Sequence, residues 1–458
     1  MMADQHKDSV TKNTERHDGP SGLTQKPRKV LILSAPIGSG HRMASQALAE
    51  ALSENPHLCV EQGDVFRFFP QWISRLFLGG YGWVLRHCPV LYALSYRWGN
   101  GGGSLWVRNA LNALLCRLGK AYLDREAPDI VISTHATPTG IVSRYKRLWH
   151  PGLRLAVVVT DFTVHQWLVC PGADTYYVAA PELAETVREL AARNGLEPPR
   201  VLVTGIPLRK AFTCPGGEPD RTALRRRYGW QDGDFVCLAA GGGGGLLPME
   251  EMCAVLDRPG LEFLRIVAVT GRNEALRHRL AGLARTRYGA RLTVWGFRND
   301  MADLFTACDT VVSKAGGVSA AETLACGVPL IIYRPLPGQE EKNAAFLSSC
   351  CGASTAADTD TLAALLRSAA ASCAAERMTS SAAARAYPSW NRPISWRNSF
   401  PAGRGGRGRT CSPIPAIGLP PRARIQNGRS WIIFPRDRSC RKNSLPSSAA
   451  GRSTCTST

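Results

Sequence analysis

A chain of 458 residues with 44% hydrophobic content can bury one or two full cores, so a two-domain enzyme is the first expectation. Its formal charge of +20 suggests nucleic acid until it is placed along the chain, where residues 386–458 hold thirteen Arg and Lys against the single acid Asp437. Most of the basicity therefore belongs to a tail without a recognition motif, and no nucleic-acid partner is expected. No run approaches the roughly twenty apolar residues of a membrane span, and the fifteen cysteines lack zinc-ligand spacing and read as reduced thiols.

Residues 1–27 are polar and charged without the apolar middle of a secretory signal, which reads as a disordered lead-in to a cytoplasmic protein. Val30 to Ser34 is then a short β-type run followed by a Gly-rich turn and a helical pattern from about Arg42, the opening unit of a doubly wound domain. Further strands are predicted at 129–133, 155–160, 176–178 and 201–204, closing a first α/β domain over 28–205. The same grammar restarts at Phe235 to Ala240 and continues at 266–269, 292–294, 310–312 and 330–333, giving a second domain over 206–385. Two Rossmann-like halves facing across a cleft are implied, with ligands at the carboxyl ends of their strands. From 386 to 458 the periodic pattern stops, and an Arg/Pro/Ser-rich composition reads either as a disordered basic tail or as a shifted reading frame.

Between Val65 and Leu123 there is no Asp or Glu, while arginines alternate with aromatic residues. Trp72, Trp83, Arg86 and Trp98 in this stretch, with Trp167 farther on, are the expected contacts to an anionic membrane surface, because rings at headgroup depth and cations above anionic lipid form an interfacial anchor.

Candidate chemistry gathers at strand ends. Gly38-Ser39-Gly40-His41 follows the first strand, Ser133-Thr134-His135 the next clear one, and Thr160-Asp161-Phe162 with His165 the one after. His41, His135, Asp161 and His165 are thus expected to converge, with imidazoles able to take a proton from, or hold, an acceptor hydroxyl. In the second half, the five glycines 241–245 come directly after a strand and suit a diphosphate beside exposed N–H groups. Lys314 to Glu322 again joins a strand to a helix through Gly316, Gly317 and Ser319, and Glu322 could accept from ribose hydroxyls. Gln339 and Glu340 follow the next strand with side chains suited to sugar hydroxyls. Two Asp-x-Asp strings, 232–234 and 358–360, precede elements instead of ending strands and read as solvated turns, so no metal is expected.

The blocks GSGH (38–41), PDIVISTHATPTG (128–140), TDFTVHQW (160–167), TGIPL (204–208), GGGGG (241–245), GRNEAL (271–276), GFRNDMADLFTACD (296–309), SKAGGVSAAETLACGVPLI (313–331) and PLPGQEEKNAAFL (335–347) resemble the monogalactosyldiacylglycerol synthases and the related processive diacylglycerol glucosyltransferases. The resemblance spans about residues 28–350. It implies a GT-B fold, an N-terminal acceptor domain, a C-terminal UDP-sugar domain, and transfer to diacylglycerol with inversion, without a required metal or other cofactor, at the inner face of the cell membrane. Carried over by motif, Gly241, Gly242, Gly243 and Gly244 would hold the diphosphate, with Gly271, Asn273, Lys314, Gly316, Gly317 and Ser319 completing the donor site. Phe297 to Met301 would cover the uracil, Glu322 would bind ribose, Gln339 and Glu340 the sugar, and His41 with Gly38 and Gly40 would lie by the acceptor. The helices that close a GT-B protein are replaced here by the basic tail. Rival readings are transfer of N-acetylglucosamine to a lipid-linked peptidoglycan precursor and a catalytically impaired lipid-surface binder.

Overall fold

The structure, a computed structural model, describes residues 27–35, 39–68, 80, 88, 94, 97–213, 220–231, 233–245 and 247–378. The lead-in 1–26, the tail 386–458, Gly38, Trp72, Trp83 and Arg86 lie outside the described residues.

The first half alternates β1 (Arg28–Ser34), α1 (Gly40–Ser53), β2 (Leu58–Asp64), α2 (Leu105–Glu126), β3 (Ile130–Ser133), α3 (Ala136–Leu148), β4 (Arg154–Val158), β5 (Thr175–Val178), α4 (Pro181–Arg193) and β6 (Arg200–Val203). The second contains α5 (Arg221–Arg227), β7 (Phe235–Ala240), α6 (Met249–Cys253), β8 (Leu264–Val269), α7 (Glu274–Leu283), β9 (Leu292–Trp295), α8 (Met301–Ala307), β10 (Thr310–Ser313), α9 (Gly317–Ala325), β11 (Leu330–Tyr333), α10 (Gln339–Cys351), β12 (Ser354–Ala356) and α11 (Thr359–Met378). The central strands are buried along their whole length, as in IVIS of β3 and FVCLAA of β7, because helices cover both faces of a parallel sheet.

All pairings are parallel, in the orders β2-β1-β3-β4-β5-β6 and β12-β11-β10-β7-β8-β9. Both are the doubly wound sheets expected from the sequence. The edge strands β2 and β12 add to the expected set. Chain order reverses between β1 and β3 in one sheet and between β7 and β10 in the other, and crevices for ligands form at such switch points. Both sheets lie in one compact unit. Their apolar layers merge: Phe162, after β4, stacks on Phe346 of α10 with centroids 5.4 Å apart, and Phe212, between β6 and α5, meets Phe305 of α8 at 6.0 Å. Every described cysteine is a free thiol.

Candidate active site

The two switch points face one another across a single cavity of about 280 Å³. From the first half it takes Ser39, Gly40, His41, His135, Thr160 and Asp161; from the second, Gly241 to Gly244, Lys314, Gly316, Gly317, Ser319, Gln339 and Glu340.

His41 opens α1, and its Nδ1 lies 2.8 Å from the Thr134 carbonyl oxygen and 2.9 Å from Thr160 Oγ1. A carbonyl only accepts, so Nδ1 carries the proton, and in the neutral ring Nε2 is left as the acceptor. Burial pulls this imidazole below its ordinary value, with Asp161 and the Thr134 carbonyl acting in the opposite direction. His135 has the other tautomer. As the N-cap of α3 it accepts from Thr137 N at 3.2 Å through Nδ1, which leaves Nε2–H as a donor. Burial first, then His41 and His165, hold it well below the usual range, so it stays neutral near pH 7. The two rings meet edge to face at 4.9 Å. One site thus offers an imidazole acceptor beside an imidazole donor.

Asp161 is fixed from the other half of the molecule. Asn343 on α10, fully buried, donates from Nδ2 to Asp161 Oδ1 at 3.1 Å and to the Ala315 carbonyl at 2.9 Å, and its Oδ1 accepts Phe162 N–H at 3.1 Å. The sequence reading passed over Asn343; its place one turn after the Gln339-Glu340 pair was the available signal. Removing the side chain leaves buried backbone partners unmet, at roughly 1–3 kcal/mol. Asn343→Ala is therefore expected to lower the urea midpoint measurably and to reduce kcat further than that loss explains, since Asp161 loses its anchor; equal activity per folded molecule would contradict this.

Ser39 Oγ accepts the Gly243 N–H at 3.2 Å across the cavity. The glycine loop needs its residue type: Gly242 and Gly245 have φ of +67° and +58°, and a Cβ on Gly243 would lie 2.8 Å from Ser39 Cβ. Gly271 and Asn273 shape that loop from behind instead of lining the cavity. A Cβ on Gly271 would meet the Gly242 carbonyl oxygen at 2.6 Å, and Asn273 caps α7 through Leu276 N at 3.0 Å. Lys314 Nζ pairs with Glu340 Oε1 at 2.6 Å, and Glu340 Oε2 accepts Leu336 N–H at 2.9 Å, which fixes that carboxylate at the cavity wall.

Four expected members stand elsewhere. His165 does not line the cavity; it accepts Trp167 N–H at 3.1 Å and sets the turn at Gln166–Leu168. Glu322 is buried against Arg209, between β6 and α5, Oε1 to Nη2 2.7 Å, and burial raises its carboxyl pKa despite that partner. Phe297 is exposed beneath the Arg272 guanidinium, 5.2 Å away, and Met301 packs half-buried against the core. On the proposed membrane face, Trp98 is 52% exposed, whereas Trp167 donates from Nε1 to Ser104 Oγ at 3.0 Å.

Two Rossmann-like sheets with one ligand crevice between their switch points form the GT-B fold. Residues 41–208 match the monogalactosyldiacylglycerol (MGDG) synthase family and residues 250–389 the glycosyltransferase family 28 C-terminal domain. The processive diacylglycerol beta-glucosyltransferase of Bacillus subtilis strain 168 is 30% identical over 334 residues, covering 70% of this chain and 81% of its own. The probable chloroplastic monogalactosyldiacylglycerol synthase 2 of Oryza sativa subsp. indica is 29% identical over 71% of this chain and 70% of its own. Among solved structures, MurG of Acinetobacter baumannii superposes with a TM-score of 0.47 at 16% identity, over 81% of this chain and 95% of that one. The chain belongs to the family of diacylglycerol glucosyltransferases and monogalactosyldiacylglycerol synthases.

Proposed function

We propose that this protein transfers a hexose from a UDP-sugar to diacylglycerol at a membrane surface, with inversion at the anomeric carbon. The observation that carries the reading is the single cavity that His41, its Nδ1 held by the Thr134 carbonyl, shares with the glycine loop and the N-terminus of α9. His41 Nε2 takes the proton of the acceptor hydroxyl as its oxygen attacks the anomeric carbon. The bond from that carbon to the UDP oxygen breaks on the opposite side. Backbone N–H groups of Gly242 and Gly244, the positive end of α9 and the Lys314 ammonium stabilise the charge that grows on the diphosphate. Gln339 and Glu340 hold sugar hydroxyls, with Lys314 orienting Glu340. In this reading the cation is supplied by the protein, and transfer persists in excess EDTA. The test is transfer from UDP-glucose, UDP-galactose and UDP-N-acetylglucosamine to diacylglycerol in vesicles. Product from either of the first two supports the reading, and product from the third alone overturns it.

The membrane face rests on α2. Trp106 is 71% and Leu114 56% exposed, with Leu111 and Leu118 beside them, forming an apolar stripe along the outer side of that helix near Trp98. No helix among the described residues is long and apolar enough to cross a membrane. Trp106→Glu with Leu114→Glu should weaken flotation with phosphatidylglycerol vesicles at least about tenfold, because each buried side chain contributes about 1.5–3 kcal/mol when fully inserted. UDP affinity should stay unchanged. Undiminished flotation would place the membrane contact elsewhere.

A further inference from the structure

A second cavity, of about 360 Å³, lies behind α2 between α3 and the loop Cys170-Pro171, and no Asp or Glu is among its lining residues. That space equals roughly a dozen water volumes. Three arginines line it, Arg108 of α2 and Arg144 and Arg147 of α3. Arg108 is only 5% exposed. It donates from Nη1 to the Val169 carbonyl at 2.9 Å and from Nε and Nη2 to Asn109 Oδ1 at 3.2 and 3.1 Å, all neutral acceptors. Three of its five N–H donors are thus used, and its charge is opposed by none of the cavity wall. A buried cation without an anion is costly. Asn194, at the end of α4, adds a buried Nδ2 with no hydrogen-bond partner to the same wall.

We propose that this cavity binds a soluble phosphate-class oxyanion, inorganic phosphate or a small phosphomonoester, at a site separate from the donor cavity. Bidentate guanidinium contacts to phosphate oxygens would supply the missing counter-charge, and the Asn194 amide a further donor. The soluble source follows from the helix. Leu105, Arg108, Asn109 and Asn112 recur at i, i+3, i+4 and i+7 on the inner face of α2, whereas Trp106, Leu114 and Leu118 lie on the other side. A lipid lying under the apolar stripe would have to reach around the helix to place its headgroup here. Occupancy would tie α2 and α3 to the loop that follows Trp167.

The test is calorimetric and thermal titration of the full chain with inorganic phosphate, at constant ionic strength balanced by chloride and with the donor site saturated with UDP. A single saturable site is expected, with Tm rising with the logarithm of phosphate above its Kd. The partly exposed pair Arg144→Ala/Arg147→Ala should weaken it at least tenfold at unchanged UDP affinity, and Arg144→Lys/Arg147→Lys should retain part of it. The arginine dependence assigns the cavity whether or not UDP transfer is observed, so failure of the glycosyltransferase reading is scored separately. An absent phosphate effect, or one identical in the alanine variant, overturns the proposal. So does arginine-dependent binding to phosphatidate vesicles without binding of free phosphate, which would make the source a lipid headgroup.

Discussion

His41→Ala is expected to lower kcat by roughly 10²- to 10⁴-fold, the range that a positioned general base contributes, while UDP binds as before. The separation follows from placement: the imidazole is held by Thr134 and Thr160 on the first sheet, and the glycine loop belongs to the second. His41→Gln distinguishes proton transfer from positioning, since the amide can hydrogen-bond an acceptor hydroxyl but cannot take its proton; it should be almost as slow as the alanine variant. The pH profile gives a second check. A base acts when neutral, and burial lowers the His41 pKa from its ordinary 6.5. The acid limb of kcat/KM should therefore lie below pH 6.5, with activity full above it and lost as pH falls through the lowered value. His135→Ala should move that limb upward, because the ring packed against His41 is removed, water enters, and the burial that lowers the His41 pKa is relieved. Activity of His41→Ala within a factor of about three of the parent, well below the range for a general base, would exclude this base.

Much of this site was readable because strand, glycine turn and helix are local patterns. The buried runs VLILS and FVCLAA, each followed by glycines, located both switch points, and the parallel sheet did the rest by bringing strand ends together. The edge strands β2 and β12 escaped for a physical reason. LCVEQGD of β2 is largely outside the core, and STA of β12 is three residues long, so neither has the continuous apolar run that betrays a central strand. His165 was grouped with the other strand-end residues, but the chain turns after Asp161 and the ring is used to set the next turn. Glu322 reads as a ligand residue from its helix alone. Its partner Arg209 is 113 positions away, and a pairing of that separation has no local signature. The same holds for Ser39 with Gly243, 204 positions apart, and for Asn343 with Asp161. Contacts between the halves are set by how two sheets dock, which no window of sequence contains. The proposed phosphate cavity is of this kind too, since its arginines come from two helices and its orphan amide from a third.

Gly317→Ala tests that docking directly and should be severely damaging for a single added methyl. A Cβ there would lie 2.1 Å from the Thr160 carbonyl oxygen and 2.7 Å from Asp161 Cα, both backbone atoms of the opposite half. Neither can rotate away, so the halves must separate, whereas the same methyl on Gly316 would meet nothing within 4 Å. Overpacking of this sort costs about 1–3 kcal/mol in a core. Here it acts between two halves that each retain their own sheet, so the expected loss is of apposition more than of folding. Separation lengthens the path from His41 to the anomeric carbon and withdraws Asn343 from Asp161. A misplacement on the order of 1 Å is worth about a hundredfold in rate. Gly317→Ala should thus lose roughly a hundredfold or more in kcat/KM, while Gly316→Ala stays close to the parent and both variants unfold in urea as the parent does, within about 3 kcal/mol. If Gly317→Ala turned over at the parental rate, the contact between Thr160 and α9 would not belong to the reacting state, and closure around the donor would have to follow another geometry.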